Sequence, residues 1–267
     1  MIENRYAKQV KDSMVSVVFR LKRASLPPFL LLFCLLLLFL APFSPRASAT
    51  TSSSTNFQVS QVDHAVEVRD GGLVIINDTV RLSVTNESVE LENFLIGFPL
   101  QYGSNLDYCF AHDPLDPDAR HTVVLDVGLG KIGFYGIRVV FGTPVDISDG
   151  EPYEFAVTYV FSNLVSQLST TAFEADFPIF PSLVQEAETC NVTVTLPSNA
   201  VYLSIDPQIT LDETTVDTRV VLNHTKSPLE SFTNKPGTLR FSKTNALPLI
   251  EANRIERKIT LNQWGNM

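Results

Sequence analysis

Several stretches of this chain place reactive side chains close enough to suggest chemistry, and their spacing says what chemistry each could support. Gly128-Leu129-Gly130-Lys131-Ile132-Gly133 spells a G-x-G-x-x-G. In a dinucleotide fold that loop leads from a strand into a helix, whose N-terminus holds the pyrophosphate. Here the strand-like run Val123 to Val127 leads into a second strand-like run, Phe134 to Phe141. The expectation is therefore a hairpin or kinked strand, with no nucleotide. His112-Asp113-Pro114-Leu115-Asp116-Pro117-Asp118-Ala119-Arg120-His121 sets three carboxylates between two histidines. Calcium needs six or more oxygens, and this loop lacks the glycine and the closing bidentate Glu of a calcium loop. Its prolines predict an exposed, stiff turn joining two strands. There is no G-x-S-x-G, and no His stands beside a Cys or Ser in a nucleophile arrangement. Glu151 and Glu154 differ by an odd number, so on a strand they face opposite ways and cannot flank one bond. No catalytic, cofactor or metal site is expected.

Two cysteines lie in the body of the chain, Cys109 and Cys190. Outside the cytoplasm they could form one disulfide; equally, they could be two buried thiols acting as small hydrophobes. Together with four scattered histidines they make no metal-ligand spacing. Four Asn-x-Ser/Thr sequons begin at Asn77, Asn86, Asn191 and Asn223. Asn191 falls on the polar face of a strand-like run and the others lie beside turns, positions where a glycan could be carried.

The elements that must hold these groups read as strands. Tyr153, Phe155, Val157, Tyr159 and Phe161 alternate with Glu154 and Thr158, and Cys190, Val192, Val194 and Leu196 alternate with Asn191, Thr193 and Thr195. Period two with β-branched and aromatic residues marks strands with one buried face. Further strands are expected near 57–69, 73–84, 89–98, 122–127, 134–141, 200–205, 216–222 and 238–242. Asp70-Gly71-Gly72, Pro197-Ser198-Asn199 and Lys235-Pro236-Gly237 punctuate them. Residues 163–188 are the least strand-like part and are expected to form a long connection with a helical turn. The expected class is all-β, an antiparallel β-sandwich, with an N-terminal signal or anchor segment.

That segment sets the expected compartment. The apolar run Phe29 to Ala41 follows Arg20, Lys22 and Arg23 and precedes Ala47-Ser48-Ala49, the layout of a secretory signal cleaved after Ala49. As a helix the run spans roughly 20 Å, short of a ~30 Å hydrocarbon core; an uncleaved anchor is the alternative. Removing residues 1–49 takes seven basic and two acidic side chains from totals of 20 and 29, leaving about −14. Such a charge repels phosphate backbones, so no nucleic-acid partner is expected. The organisation read from the sequence is a signal over 1–49, a flexible Ser/Thr-rich linker over 50–56 and one β-domain over 57–253. The stretch 254–267 repeats the pattern of Val62 to Gly72 and is expected to open a second, truncated β-domain.

Glu256-Arg257-Lys258-Ile259-Thr260-Leu261-Asn262-Gln263-Trp264-Gly265-Asn266, with Phe232-Thr233-Asn234-Lys235-Pro236 and Leu247-Pro248 before it, resembles a segment of the ribophorin I family. Val157-Thr158-Tyr159, Phe177-Pro178-Ile179-Phe180-Pro181 and Thr193-Val194-Thr195-Leu196-Pro197-Ser198 continue the resemblance, which covers the first of that family's two lumenal domains. Thr260-Leu261-Asn262-Gln263 departs from the family's usual residues before the Trp-Gly. The resemblance implies a non-catalytic accessory subunit of an oligosaccharyltransferase. Its partners would be the catalytic subunit, other membrane subunits and nascent polypeptide. Its place would be the endoplasmic reticulum lumen or the outer face of a prokaryotic cytoplasmic membrane. Trp264, Phe232 and Pro236 are the residues expected at a domain or subunit junction. The alternatives are a stand-alone exported cell-surface β-domain and the β-domain of an exported hydrolase.

Overall fold

The computed structural model describes residues 57–84, 88–148 and 151–244, with Leu247 and Leu249. The expected signal and cleavage site at Ala49, the linker, Asn86, Trp264 and the repeat at 254–267 lie outside the described residues. Within them the chain is β-structure, with one 3-10 turn, Leu100–Asn105. No helix among the described residues is long and apolar enough to cross a membrane.

The alternation of apolar and polar residues becomes the alternation of buried and exposed faces. β1 (Phe57–Val68) and β2 (Val74–Val84) pair antiparallel through the Gly71-Gly72 turn. Val62, Val66, Ile76 and Val80 are buried in the core, and the residues of opposite parity, such as Asp63, Ala65, Asn77 and Thr79, face out. β3 (Val89–Pro99), β4 (Leu106–His112), β5 (Arg120–Val127), β6 (Phe134–Ile147) and β7 (Tyr153–Phe161) follow, all antiparallel to their neighbours. β11 (Ala187–Thr195) joins the far side of β1, and β13 (Asp212–Val216) and β14 (Arg219–Lys226) extend the sheet from there. With the two-residue β10 (Ser182–Leu183) the order is β10-β3-β6-β5-β4-β7-β2-β1-β11-β14-β13. A smaller sheet of β12 (Ala200–Asp206), β15 (Pro236–Lys243), β9 (Ala172–Pro178) and β8 (Val165–Gln167) completes the fold.

The long sheet folds onto itself. β3 and β7 are separated by three strands in its order, yet Phe98 meets Tyr159 and Phe161 edge-on at 5.6 and 5.1 Å, and Phe94 meets Phe155 at 5.2 Å. The bend lies between β4 and β5, which share only the pairs Ala111–His121 and His112–Arg120. The smaller sheet contributes Phe173, Phe177, Leu239 and Phe241, all fully buried, to the same core. Aromatic residues of this size each remove a large area from water, and Phe155, Tyr159, Phe161, Phe173, Phe177 and Phe241 are among the largest fully buried side chains.

Two expectations need correction. The segment 163–188 holds β8, β9 and β10 rather than a helical turn. Its alternating Phe173, Ala175 and Phe177 are one buried face, but the flanking strands have three and two residues, too few to show a period. The run 216–222 is not one strand, because Asp217 at φ 55° and Thr218 form the turn between β13 and β14. The antiparallel sandwich stands as expected, with β1 and β11 the one parallel pair among the described strands. All-β class and layered packing stand as expected.

Candidate functional site

The G-x-G-x-x-G is the loop of the β5–β6 hairpin. Gly130 and Gly133 sit at φ 85° and 99°, where a side chain would be strained. Leu129 tucks in over Gly97 and Gly136, which pair across β3 and β6; a Cβ at Gly136 would meet Leu129 at 2.8 Å. The motif anchors a turn. The loop from His112 to His121 joins β4 to β5 with Leu115 almost fully exposed. Two of its carboxylates cap its own backbone, Leu115 N–H donating to Asp113 at 2.8 Å and Asp118 N–H to Asp116 at 3.2 Å. Burial lowers the pKa of both His112 and His121, and Arg120 adds to the effect on His112.

Cys109 and Cys190 are both free thiols. β7, β2 and β1 stand between their strands, about 19 Å of sheet at the usual strand spacing. A disulfide needs Cα atoms within about 7 Å, so the two cysteines do not pair. Burial, then the charge of Asp78, pushes the Cys109 thiol up to about 12; the same two causes raise Cys190. These thiols are packing groups.

The core also holds a polar pair that the sequence did not reveal. His64 on β1 and Asp78 on β2 are direct cross-strand partners, each 1% exposed. The ring's Nδ1 lies 2.5 Å from the Asp78 carboxylate and its Nε2 lies 3.1 Å from the carbonyl of Pro178. Pro178 ends β9 of the smaller sheet, so the pair ties the two layers together. Tyr159 is buried nearby, its phenol raised well above the ordinary range by burial and then by Asp78. Sealed from substrate on every side, the group has a structural role.

The outer face of the long sheet gathers the sequons. One row crosses seven strands through Phe110, Thr158, Asn77, Ala65, Thr193, Asn223 and Asp212. In the next row Asp63, Asn191 and Thr225 are neighbours. Thr158 donates to Asn77 at 2.7 Å, Asn191 to Asp63 at 2.9 Å, Thr225 to Asn191 at 3.1 Å and Thr193 to Asn223 at 3.2 Å. Thus three of the four predicted acceptor asparagines share one half-exposed face, joined by hydroxyl and amide bonds rather than by packing.

Phe232 and Pro236 lie apart from that face. Phe232, at φ 54°, donates its N–H to Leu183 at 2.7 Å and packs against Phe134 at 5.9 Å. Lys131 sits 5.4 Å from its ring centroid. Pro236 opens β15 opposite Pro178. Both are half-buried within the domain.

A polar cleft of about 380 Å³ is lined by Gln101, Tyr102, Asn105, Asn163, Leu164, Ser166, Glu174 and Asp176. Two residues apart on β9, Glu174 and Asp176 point away from the core that Phe173, Ala175 and Phe177 enter. Arg240 of β15 donates to Glu174 at 2.9 Å, and the Tyr102 hydroxyl donates to Asp176 at 2.7 Å. Burial, then Asp176, raises the Tyr102 phenol far above its usual range. With both carboxylates engaged, the cleft offers hydrogen-bonding oxygens suited to a polar or cationic group. The i, i+2 carboxylates beside alternating aromatics were the sequence signal for this site. Among the described residues no group of three or more His, Cys, Asp or Glu side chains is placed to hold a metal.

No protein-family model matches this chain, and no curated protein does. Solved structures do. An M1 zinc metallopeptidase from Deinococcus radiodurans superposes with a TM-score of 0.39 at 14% identity, covering 70% of this chain and 42% of that one. A point mutant of that enzyme bound to a Tyr-Ser-Ala substrate gives 0.39 at 12% identity, with the same coverage. The chain thus spans less than half the length of these structures, and similarity at that distance assigns no activity.

Proposed function

We propose that this chain is a non-catalytic β-sandwich module of a larger exported assembly, acting by holding a polypeptide partner on its surface. One observation carries the reading. Of the side chains with nucleophile or acid–base chemistry, Cys190, His64, Asp78 and Tyr159 are built into the core as packing or bracing groups, and Cys109 packs half-buried against it. What the domain turns outward is a hydrogen-bonding sheet face, a polar cleft and open strand edges. Such surfaces recognise; they do not break bonds.

The ribophorin-like residues in the sequence support the specific form of this reading, an accessory domain of an oligosaccharyltransferase. On that form, Phe232 and Pro236 lie toward a domain or subunit junction, and Asn77, Asn191 and Asn223 are acceptor positions. The β-domain of an exported hydrolase is the other form. Mild-detergent purification of the tagged full-length gene product, with partners identified by mass spectrometry, separates the two. Recovery of a multi-spanning oligosaccharyltransferase subunit is the expected result. Peptidase activity inseparable from the tagged polypeptide itself would establish the hydrolase form and overturn the accessory one. A chain recovered alone and inactive would overturn both.

A further inference from the structure

Both layers of the sandwich come to an end on one side. β13 is the last strand of the long sheet and β12 the last of the smaller one. β12 packs against β14, the neighbour of β13, and the charge of Glu213 on β13 adds to burial in raising the Tyr202 phenol on β12. The two edges differ. β12 carries a bulge between Tyr202 and Ser204, a feature that disrupts further pairing. β13 has none, and all five of its residues are exposed.

The hairpin geometry says which backbone groups are free. Val216 and Arg219 close the two-residue loop Asp217-Thr218, and the register runs unbroken to Asp212 opposite Asn223. Bonded pairs alternate along an antiparallel ladder, so Val216, Thr214 and Asp212 bond to β14 while Glu213 and Thr215 turn N–H and C=O outward. Among the described strands, none lies on that edge. From Ala200 to Thr218 the chain carries Asp206, Asp212, Glu213 and Asp217 and no Lys or Arg. Val201, Leu203 and Val216 are 58, 54 and 57% exposed there. An open cavity of about 450 Å³, lined by Tyr202, Ile205, Gln208 and Ile209 among others, adjoins β12.

We propose that β13 is a docking edge for an extended polypeptide segment rich in basic side chains. The outward peptide groups of Glu213 and Thr215 can be satisfied in register only by another extended backbone. Glu213 faces one way and Asp212 and Val216 the other, so a strand beside them meets a carboxylate on each face, with the methyl groups of Val216 at the hairpin end. The same charge disfavours a second copy of this chain, whose four carboxylates would approach these four. The inference rests on the reading of the domain as a polypeptide-binding module and names its edge and its partner chemistry.

The test uses the secreted chain and a capped peptide alternating Lys and Val, with binding followed by calorimetry and by amide shifts. The expected result is perturbation centred on Glu213 and Thr215. A peptide N-methylated at alternate residues, a Glu/Val peptide, and the variants Glu213→Lys and Thr215→Pro should each bind about tenfold more weakly or worse. Thr215→Pro removes only an outward N–H, so its circular dichroism should stay unchanged. Equal binding of the N-methylated peptide would mean simple charge attraction and overturn the proposal. So would an absence of binding to the folded chain, or slow amide exchange at Glu213 and Thr215 without peptide, which would show the edge already covered. If Thr215→Pro still co-purifies with a partner subunit, the docking edge falls and the accessory reading stands. If neither form recovers a partner, the accessory reading itself fails.

Discussion

The inner and outer faces of β1, β2 and β11 belong to the same three strands and obey opposite rules. Inside, Val62, Val66, Ile76, Val80, Cys190, Val192 and Val194 are at most 1% exposed, and one polar pair, His64–Asp78, sits among them. Outside, Asp63, Asn77, Asn191 and Thr193 form a lattice of polar bonds at the water boundary. A polar contact is decided less by its length than by what replaces it when broken. Outside, water does; inside, nothing does.

The sharpest way to break the inner face is Asp78→Ala. It leaves the His64 ring buried among apolar neighbours with its Nδ1 unpartnered, and should cost about 3 kcal/mol or more. Urea unfolding measures this directly; a loss below 1 kcal/mol would show that water reaches the pair. Val192→Ala, which removes two buried methyl groups from the same face, should cost about 2–3 kcal/mol. The outer-face counterpart, Thr158→Val, deletes the donor to Asn77 and should change stability by about 1 kcal/mol or less. A larger effect in a urea melt would mean the lattice acts as a single unit.

Alkaline pH tests the inner face without mutation. Burial followed by the charge of Asp78 holds Cys109 up to about 12, and burial followed by the charge of Asp113 holds Tyr153 up to about 12. In the unfolded chain these groups ionise near 9 and 10. Below pH 9 both states hold the protons and the stabilising difference is fully present. Between about 9 and 12 only the native state holds them, so stability should fall steadily as pH rises through that window. A midpoint in urea that stays flat from pH 8 to 11 would contradict the burial of these groups. Non-reducing electrophoresis gives the smallest signal: no mobility change with reductant, since Cys109 and Cys190 stand on separated strands.

Much of the architecture was legible before any coordinate. Tyr153 to Phe161 and Cys190 to Leu196 showed their buried faces by alternation, and the turn residues before β2 and β12 marked real breaks. The candidate sites were far less legible. Glu174 and Asp176 lie in the stretch 163–188, which the sequence marks as a connection. Their cleft exists only because the 3-10 turn at 100–105 arrives from 70 residues away in sequence. His64 shares the parity of Val62 and Val66 and so lies inward, but no local signal names Asp78 as its partner.

What the sequence determined by itself is the β class and, strand by strand, which side chains avoid water, because a period of two is a local property of an extended chain. Tertiary structure alone decided which strands are neighbours. It set β1 parallel to β11 across more than a hundred residues, kept Cys109 from Cys190, paired His64 with Asp78 and left β13 at an edge. Those outcomes depend on how the whole set of apolar faces closes around one core, and no local window contains that information.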